Sequence, residues 1–540
     1  MIPRLFSLPA KFALYSLLLL TILSCFAGCA DEPAVGKTPK PVYRAPVEKM
    51  SGPDYLAIVK NYAQTMIDHG RDIYGPDHTP LFAVSLDRTT LRLHEGQALD
   101  KILAIERDDW GIRPHDRMVQ GANPMQDQNL YQVLYALTDI TGEQHYAIQA
   151  EMALRWFFNH CQSPVTGLFA WGEHIGWDFT TEAIIEKNAG TSHEFARPWM
   201  LWESSFNLAP GPCRDFALGL WNHQISDQDS GYYSRHARYD THGPGKGSEY
   251  PRHGGFYIAT WAAAFKHTKE PVFLKAIECL VDAFENRRNK TTGALMAESQ
   301  SPDLMWPHSN LSLAVDLWDN TDKVTPALSE KMKAFALKTD DVFLTIGHDL
   351  SPGGEGFMIH AVTSTLEPGW LRLGNPDDSR RHFSDTWQTS YGNATDAQIA
   401  MLCYLRYRQV ERKEYVKLIL DTSARYLKSD PDTTIALYPG ALADAMALML
   451  STYQLTGHKI YLNRADEFGK MAIDIFFDGS PLPRASSRHD HYEAITRGDT
   501  LVMDLLLLWA AKTGIIKPDG GRPIREPVPL GNKRLVYNKR

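Results

Sequence analysis

The chain has 540 residues, of which 44% are hydrophobic and 22% are charged, proportions typical of a globular protein with a large buried core. Its formal net charge of -8 argues against a nucleic-acid-binding protein, because such proteins normally present a basic face. The net charge does not exclude an acidic substrate, since local Arg and His clusters set the field within a cleft.

The first 28 residues are predicted to be a lipoprotein export signal. A weakly basic start precedes an apolar run from Phe12 to Ser24, which is too short and too N-terminal to favour a permanent membrane span. Phe26-Ala27-Gly28-Cys29 resembles a bacterial lipobox, although Phe26 stands where Leu is usual. We therefore expect lipidation at Cys29 and export to the outer membrane or periplasm, with cleavage of a plain signal peptide as the alternative.

The remaining chain is predicted to have three parts. Residues 29–50 contain four Pro and many polar side chains and are expected to be a flexible tether. Residues 51–515 are expected to form the catalytic domain, and residues 516–540 a polar tail. The four Cys of the domain show no metal-ligand spacing, so we expect buried free thiols, with disulfides still possible in an oxidising compartment.

The most regular feature of the domain is a pair of amphipathic helices. Leu130, Val133, Leu134 and Leu137 follow helical spacing, a turn comes near Gly142, and a second periodic segment begins at Tyr146. Two such helices joined by a short turn form an αα-hairpin.

This hairpin pattern recurs five times along the chain, at residues 195–225, 256–284, 311–343, 399–427 and 442–477. A leading helix at 54–73 and a last apolar run at 501–511 could pair as a seventh hairpin and close a ring. Closure buries the apolar faces that an open array would leave exposed at its ends. The sequence therefore predicts an all-α fold, an (α/α)6 or (α/α)7 toroid of helical hairpins.

The short turns lie at one end of these hairpins, so all the long connections lie at the other end. Gly167, Gly231 and Gly293 each follow the second helix of a hairpin and suit a helix exit with positive φ. Ionisable side chains follow at similar distances from each of them: Glu173, His174, Arg235, His236 and Glu298. Similar offsets on a ring predict that these groups converge at its axis.

The hairpin array, from about residue 54 to 511, resembles the six-hairpin glycosidase-like superfamily, whose toroids act on carbohydrates. Residues 74–82, the loop from Trp171 to His174 and the pair His193-Glu194 resemble more closely a bacterial group described as pectate-lyase-like. This resemblance implies a carbohydrate-active enzyme. It leaves the reaction open, because such toroids include both hydrolases and lyases.

The densest ionisable stretch runs from Asp227 to His253. A loop of this length in a compact fold is usually functional or disordered, and its Arg and Tyr content argues against disorder. We expect Arg235 and Arg252 to bind a uronate carboxylate, since a planar guanidinium makes paired hydrogen bonds. His236, Tyr239 and His253 are further candidates in this stretch, and a structural network of salt bridges is the alternative.

A second cluster combines Glu173 and His174 with His193 and Glu194. The latter pair is predicted to stand at a helix start capped by Ser192. Partly buried Glu and His at the mouth of a ring could act as general acid and base, although helix-start acids are also ordinary dipole partners.

A third cluster, His491 and Tyr492, directly precedes the last helix and could be a lyase-type base and acid, with a solvated loop as the alternative. His489 and His491 could ligate a metal, but no third ligand is evident, and no metal or other cofactor is predicted. Trp171 and Trp306 could stack on sugar faces, with Glu298 beside them, although most Trp are expected in the core.

Together these patterns predict an exported enzyme that degrades an acidic, uronate-containing glycan. A hydrolase is slightly favoured, with Glu173, Glu194 and Glu298 as candidate carboxyls. A lyase would instead use His236 or His491 with Tyr239 or Tyr492. A third hypothesis is a surface glycan-binding lipoprotein without turnover.

Overall fold

The computed structural model describes residues 52–106, 111–186, 193–241, 243, 249–369, 382–387 and 394–521. The predicted export signal with Cys29, the tether and most of the polar tail lie outside these ranges. Across the described ranges, no helix is long and apolar enough to cross a membrane.

The described residues form fifteen α-helices and nine short strands. The helices are α1 (Tyr55–Asp68), α2 (Gly96–Leu103), α3 (Gln128–Thr141), α4 (His145–His160), α5 (Trp202–Leu208), α6 (Pro210–Gly219), α7 (Pro251–Thr268), α8 (Pro271–Asn286), α9 (Pro307–Trp318), α10 (Pro326–Thr345), α11 (Asp396–Val410), α12 (Lys413–Tyr426), α13 (Pro439–Thr456), α14 (Lys459–Phe476) and α15 (Gly498–Lys512). The strands are β1 (Ser85–Leu86), β2 (Gly121–Ala122), β3 (Ile175–Asp178), β4 (Ala183–Glu186), β5 (Ile225–Asp227), β6 (Tyr232–Tyr233), β7 (Leu304–Met305), β8 (Ala361–Val362) and β9 (Tyr492–Glu493).

The helices close into a ring. Along its inner wall α7 packs on α9, α9 on α11, α11 on α13, α13 on α15, and α15 on α3. Helix α1 packs against both α15 and α3, which closes the ring between the two ends of the chain. The predicted all-α toroid is therefore confirmed. The described residues contain seven hairpins, one of which, α5 with α6, has a short inner helix.

Burial explains why the two helices of each hairpin differ. In α13 every residue from Pro439 to Thr452 is buried, and α15 is buried almost as completely. A helix that is apolar on all sides must lie within the protein. The outer partners are amphipathic: α14 buries only a stripe that includes Ala465, Phe468 and Ala472.

The prediction that a helix begins at Phe195 is wrong. Helix α5 begins only at Trp202, and His193 is extended and paired with Ala237. The residue before Pro198 is disfavoured in helical conformation, and backbone pairing to the neighbouring loop holds the segment open. Ser192, the predicted cap, lies outside the described residues.

The long connections share one turn geometry. Gly167, Gly231 and Gly293 have φ of 74°, 68° and 75°, as predicted for these positions. The N–H of each donates a 2.9 Å hydrogen bond to the carbonyl four residues earlier. Short antiparallel pairings then tie the loops together, with β2–β3–β4, β1–β9, β5–β6 and β7–β8 as the small sheets.

The direction of the hairpins has an electrostatic consequence. Each inner helix begins at the loop-rich face, so its N-terminus, which carries the positive end of the helix dipole, points there. Three of these helices, α7, α9 and α13, begin with Pro at the first position, where its missing N–H costs nothing. The loop-rich face is therefore suited to anionic ligands.

At the opposite face, the residues that end two helices have positive φ, and substitutions there can test the strain of that conformation. Gly142 and Glu411 end α3 and α11 in the left-handed region, with φ of 76° and 54°. Replacing Gly142 by Ala should lower the free energy of unfolding by roughly 1–2 kcal/mol, because L residues are strained there and no neighbouring atom would contact the added carbon. Glu411→Gly should raise it by roughly 0.5 kcal/mol.

Denaturant unfolding of both variants measures these changes, with Glu411→Ala as the control that removes the side chain and keeps the strain. A stabilised Glu411→Ala or a neutral Gly142→Ala would contradict the assignment.

Candidate active site

A buried carboxylate, Glu194, is the centre of the densest polar cluster at the loop-rich face. Glu194 is 2% exposed. Its Oε2 lies 3.0 Å from His174 Nε2 and 2.6 Å from His236 Nε2. Its Oε1 lies 2.9 Å from Arg235 Nε and 3.1 Å from His253 Nε2, the latter outside good hydrogen-bond alignment. One carboxylate thus brings together side chains from two connections and from the first turn of helix α7.

The loop that carries His174 approaches Glu194 through a glycine. Gly172 has φ of 122°, and an added Cβ would lie 2.1 Å from the Glu194 carbonyl oxygen. The Glu173 N–H donates to the same carbonyl at 2.9 Å. Asn123 fixes this loop by donating to the carbonyls of Gly172 and Ile175 at 2.8 and 3.1 Å. Only Gly permits this approach of the two backbones.

His193, next to Glu194, faces the other side of its extended segment. Its backbone pairs with Ala237 in both directions, at 2.9 and 3.0 Å. Its ring lies 5.3 Å from the Phe216 ring, and burial lowers its pKa to about 3. Successive side chains of an extended chain alternate in direction. His193 is therefore a neutral core histidine, and we correct its assignment as a catalytic candidate.

His174 bonds carboxylates through both ring nitrogens. Its Nδ1 lies 2.9 Å from Asp116 Oδ1, and its Nε2 faces Glu194. Burial alone would lower the pKa of His174, but the two carboxylate hydrogen bonds outweigh it and raise the pKa to about 9. Without a bound cation, His174 is an imidazolium at neutral pH.

Arg113 links the remaining acids to this network. It donates from Nε to Asp116 at 2.8 Å and from Nη2 to Glu173 at 2.5 Å. Glu173 and Asp116 are both buried, so their charges are neutralised by Arg113 and by His174. The predicted proximity of Glu173, His174 and Glu194 is thus present, with Arg113 and Asp116 between them.

The charge state of Glu194 follows from its neighbours. Burial by itself would raise the pKa of this carboxyl. The surrounding imidazoles and the Arg235 guanidinium instead hold the pKa well below its usual range. His253 has a pKa lowered to about 4 by burial and is a neutral imidazole. Glu194 is therefore an anion throughout the neutral range.

Three of these side chains could hold a divalent cation. The Nε2 atoms of His174 and His236 and a Glu194 oxygen lie within 4.8 Å of one another. Two imidazoles and one carboxylate suit a first-row divalent metal, and Asp116 on the other nitrogen of His174 supplies the outer hydrogen bond that orients such ligands. A second set, His115 with Asp116 and His174, is less suited, because Arg113 already neutralises Asp116.

An aromatic wall adjoins this cluster. The guanidinium carbons of Arg235 and Arg252 lie 4.6 and 5.6 Å from the centre of the Tyr250 ring. The Trp306 ring lies 4.6 Å from Tyr250 and 6.3 Å from His360. Two cations therefore contact one aromatic ring beside Glu194.

Glu298 lies in a turn where Ser301 donates to its carboxylate at 3.1 Å. The buried Glu249 is close to it, and burial raises the pKa of Glu249. Glu298 is thus a neighbour of Glu249, and its charge also acts on the pKa of Tyr250 in the aromatic wall.

Two other candidates lie within the core. Trp171 is 0% exposed and packs against Phe157, Phe169 and Trp199, so no sugar can reach its ring, and we correct its assignment as a binding platform. Tyr239 is also buried, and burial raises its pKa, so its hydroxyl keeps its proton at neutral pH.

His491 and Tyr492 belong to a different cluster. The Tyr492 hydroxyl lies 2.9 Å from the Tyr62 hydroxyl in the core, and burial raises its pKa. His491 bonds Glu493 at 2.8 Å, and Glu493 in turn accepts two hydrogen bonds from Arg117. This group anchors β9 against the segment that carries Asp116. The described contacts do not join it to Glu194.

Sequence reasoning did not select Arg113, His115, Asp116 or Tyr250 as site residues. A signal was present, because residues 113–117 read Arg-Pro-His-Asp-Arg, a dense ionisable run within a loop. Its link to His174 spans 58 residues of sequence and is visible only in the fold.

With this geometry established, residues 102–280 match the family model described as periplasmic pectate lyase. The match confirms the local resemblance to pectate-lyase-like proteins and places the chain, at a coarse level, among carbohydrate-active enzymes. The matched range includes the whole Glu194 cluster: Arg113, Asp116, His174, Glu194, Arg235, His236 and His253.

Three solved structures are similar to this chain in fold. A D-mannose isomerase has a TM-score of 0.44 and 11% identity, covering 85% of this chain and 100% of that one. Cellobiose 2-epimerase from Bacillus thermoamylovorans has a TM-score of 0.45 and 10% identity, covering 85% and 99%. An unsaturated glucuronyl hydrolase specific for heparin has a TM-score of 0.44 and 11% identity, covering 87% and 100%. Similarity at this level concerns the course of the chain alone.

The hydrogen bonds from His174 to Asp116 and Glu194 can be tested through the raised pKa of His174, in protein treated with a chelator. A histidine whose pKa is raised by folding stabilises the folded state fully below its unfolded pKa of about 6.5 and loses that contribution as pH rises through about 9. In Asp116→Asn the pKa of His174 should fall, so stability should change less between pH 6.5 and 9.

Histidine NMR titration and denaturant unfolding at several pH values measure both effects. His160→Gln, at the exposed end of α4, is the matched control. An unchanged His174 titration in Asp116→Asn would contradict the described network.

Proposed function

We propose that this protein is a polysaccharide lyase that cleaves uronate-containing glycans at the Glu194 cluster, with a divalent cation held by His174, Glu194 and His236. The observation that carries the proposal is one buried carboxylate shared by two histidines and an arginine, inside the part of the chain that matches the pectate lyase model.

Glycoside hydrolysis, which the sequence slightly favoured, fits this cluster less well. A hydrolase needs one carboxylic acid that is protonated at working pH and one carboxylate on the opposite side of the bond. The pKa of Glu194 is held well below its usual range, and Glu173 is paired with Arg113. Neither carboxyl is suited to donate a proton.

A β-elimination requires a base and cations that hold the uronate carboxylate, and the cluster can supply both. A base takes the proton on the carbon next to the uronate carboxylate, and the electron pair of that C–H bond forms a carbon–carbon double bond. The bond from the adjacent carbon to the glycosidic oxygen breaks, and this oxygen leaves with its electron pair and takes up a proton. The transient negative charge spreads onto the carboxylate, which must therefore be held by cations.

The protein residues divide these tasks. A divalent cation would supply positive charge at the uronate carboxylate. Arg235, 20% exposed at its side chain, borders the cluster and can pair with the uronate carboxylate or accept the proton of the C–H bond that breaks. Asp116 and Arg113 fix the orientation of His174, and the inner-helix dipoles add positive potential at the same face.

The proton acceptor must reach the substrate. The partly exposed groups beside the cluster include Arg235 and His115, and the ring of His115 lies 5.6 Å from that of His174. Burial lowers the pKa of His115, so its imidazole is neutral at pH 7. An arginine acts as a base only when neighbouring positive charge favours loss of its proton, a condition that a bound cation beside His174 would provide.

Incubation with pectate should release an unsaturated product that absorbs in the near ultraviolet as reducing ends appear. Chelation should abolish the absorbance, and a first-row divalent cation should restore it. His236→Ala should lower turnover by a factor on the order of 100 or more, because a cation ligand is lost. Arg238→Ala, an exposed arginine of the same loop, should behave as wild type.

Two variants separate the candidate bases. If Arg235 is the acceptor, Arg235→Ala should lose turnover while His115→Asn retains it; if His115 is the acceptor, the losses should reverse. Reducing ends without absorbance would overturn the lyase in favour of a hydrolase. Binding without any product would favour a glycan-binding protein.

We also propose that the chain is exported and anchored by lipid at Cys29. The support is the lipobox-like sequence at Phe26–Cys29 and the match to a family described as periplasmic. Cys29→Ser should move the protein from the membrane fraction to the soluble periplasmic fraction in a Gram-negative host. A variant that still sediments with membranes would exclude the lipid anchor.

A further inference from the structure

The segment that carries Arg235 and His236 is held by a buried glutamine, Gln224. The side chain of Gln224 donates from Nε2 to the carbonyl of Arg235 at 2.7 Å. The backbone carbonyl of Gln224 accepts from the Ser234 N–H at 3.0 Å. One residue therefore contacts two successive residues of the segment, directly before His236.

A π-helical turn carries Gln224. Helix α6 ends at Gly219 and is followed by a π-helix from Leu220 to Gln224. Such turns are rare and occur frequently at functional sites. Here the turn ends at the residue that holds the Arg235 carbonyl, and β5 begins with the next residue.

The other end of the Gln224 amide contacts His193. The Oε1 atom of Gln224 lies 3.2 Å from His193 Nδ1. A backbone carbonyl only accepts hydrogen bonds, so the amide nitrogen faces Arg235 and the amide oxygen faces His193. The Nδ1 atom of His193 therefore carries a hydrogen and donates it to Gln224. This hydrogen bond fixes the orientation of the amide that holds Arg235.

His193 also holds the far end of the same segment. Its backbone pairs with Ala237 in both directions, at 2.9 and 3.0 Å. Glu194 follows His193 directly in the chain, so the backbone of the central carboxylate is joined to the backbone of Arg235 and His236. The two segments that form the cluster therefore keep a fixed separation.

We propose that Gln224 and His193 are positioning residues of the active site: through the backbone of residues 234–237 they fix the guanidinium and the imidazole of that segment relative to Glu194. Both side chains are 0% exposed, so they act through this backbone and do not touch the substrate. A displacement of about 1 Å at a reacting group can cost about 100-fold in rate, so such contacts affect turnover. This inference rests on the proposed lyase function.

The first test removes the hydrogen bonds of the Gln224 side chain and keeps its length. Gln224→Met should lower kcat on pectate by about 10- to 100-fold, the range found when a group that orients a metal ligand is lost, with little change in KM. It should also weaken the binding of Co²⁺, a first-row divalent cation. Gln228→Met is the matched control and should retain wild-type kcat, because Gln228 donates to the Trp221 carbonyl at 3.2 Å, outside residues 234–237.

Gln224→Glu separates positioning from packing. While the introduced carboxyl is protonated, its O–H can donate to the Arg235 carbonyl as the amide does, and after ionisation it cannot. The ratio of variant to wild-type kcat should therefore be highest at low pH and decrease as pH rises. A side chain that only filled space would give the same ratio at every pH.

The two positioning residues should act as a unit. His193→Leu removes the donor that orients the amide, and its loss of kcat should be smaller than that of Gln224→Met. The double variant should lose less than the product of the two single losses, because both act through one contact. Multiplicative losses would overturn the role of His193. Wild-type kcat and Co²⁺ affinity in Gln224→Met would overturn that of Gln224.

Failure of the lyase function can be recognised separately. If wild type gives no unsaturated product, calorimetric titration with Co²⁺ replaces kinetics and tests the positioning alone. Weaker binding by Gln224→Met than by Gln228→Met would support the proposal. Equal binding by the two variants, or no binding by wild type, would overturn it.

Discussion

The site depends on the cost of burying the Glu194 charge. An ionised carboxylate that is 2% exposed is tolerated only when cations and hydrogen-bond donors surround it. Here His174 comes from one connection of the ring, and Arg235 and His236 come from the next, so both loops must reach one point. The tight approach at Gly172 and the pairing of His193 with Ala237 follow from this requirement.

The ring of helices adds positive electrostatic potential at the face that holds this cluster. All inner helices begin at the loop-rich face and bring their positive ends toward Glu194 and the Tyr250 wall. Asp127, which directly precedes α3, and Asp504, within α15, are fully buried, and burial raises the pKa of both carboxyls. At Glu194, by contrast, His174, His236 and Arg235 surround one buried anionic carboxylate.

Local patterns were sufficient to predict part of the site. The offsets from Gly167 and Gly231 correctly indicated that His174 and His236 converge, because equivalent turns on a ring place equivalent residues at equivalent radii. Composition alone did not separate the two faces of an extended segment, so His193 and Trp171 were included although both point into the core. The partners Asp116 and Arg113 were missed because no repeat relates their loop to the others.

The sequence by itself determined the class of fold. Helical periodicity, the spacing of turns and an apolar last helix are local or repeated features, and a closed ring is the arrangement that buries them all. The tertiary structure alone decided which ionisable groups meet, because residues 58 and 42 positions apart in sequence come within 3.0 Å of one another. It also decided their protonation, because burial and partner charges make His174 cationic, His253 neutral and Glu194 anionic. Neither the burial of a side chain nor the charge of its partners can be read from the residues next to it in sequence.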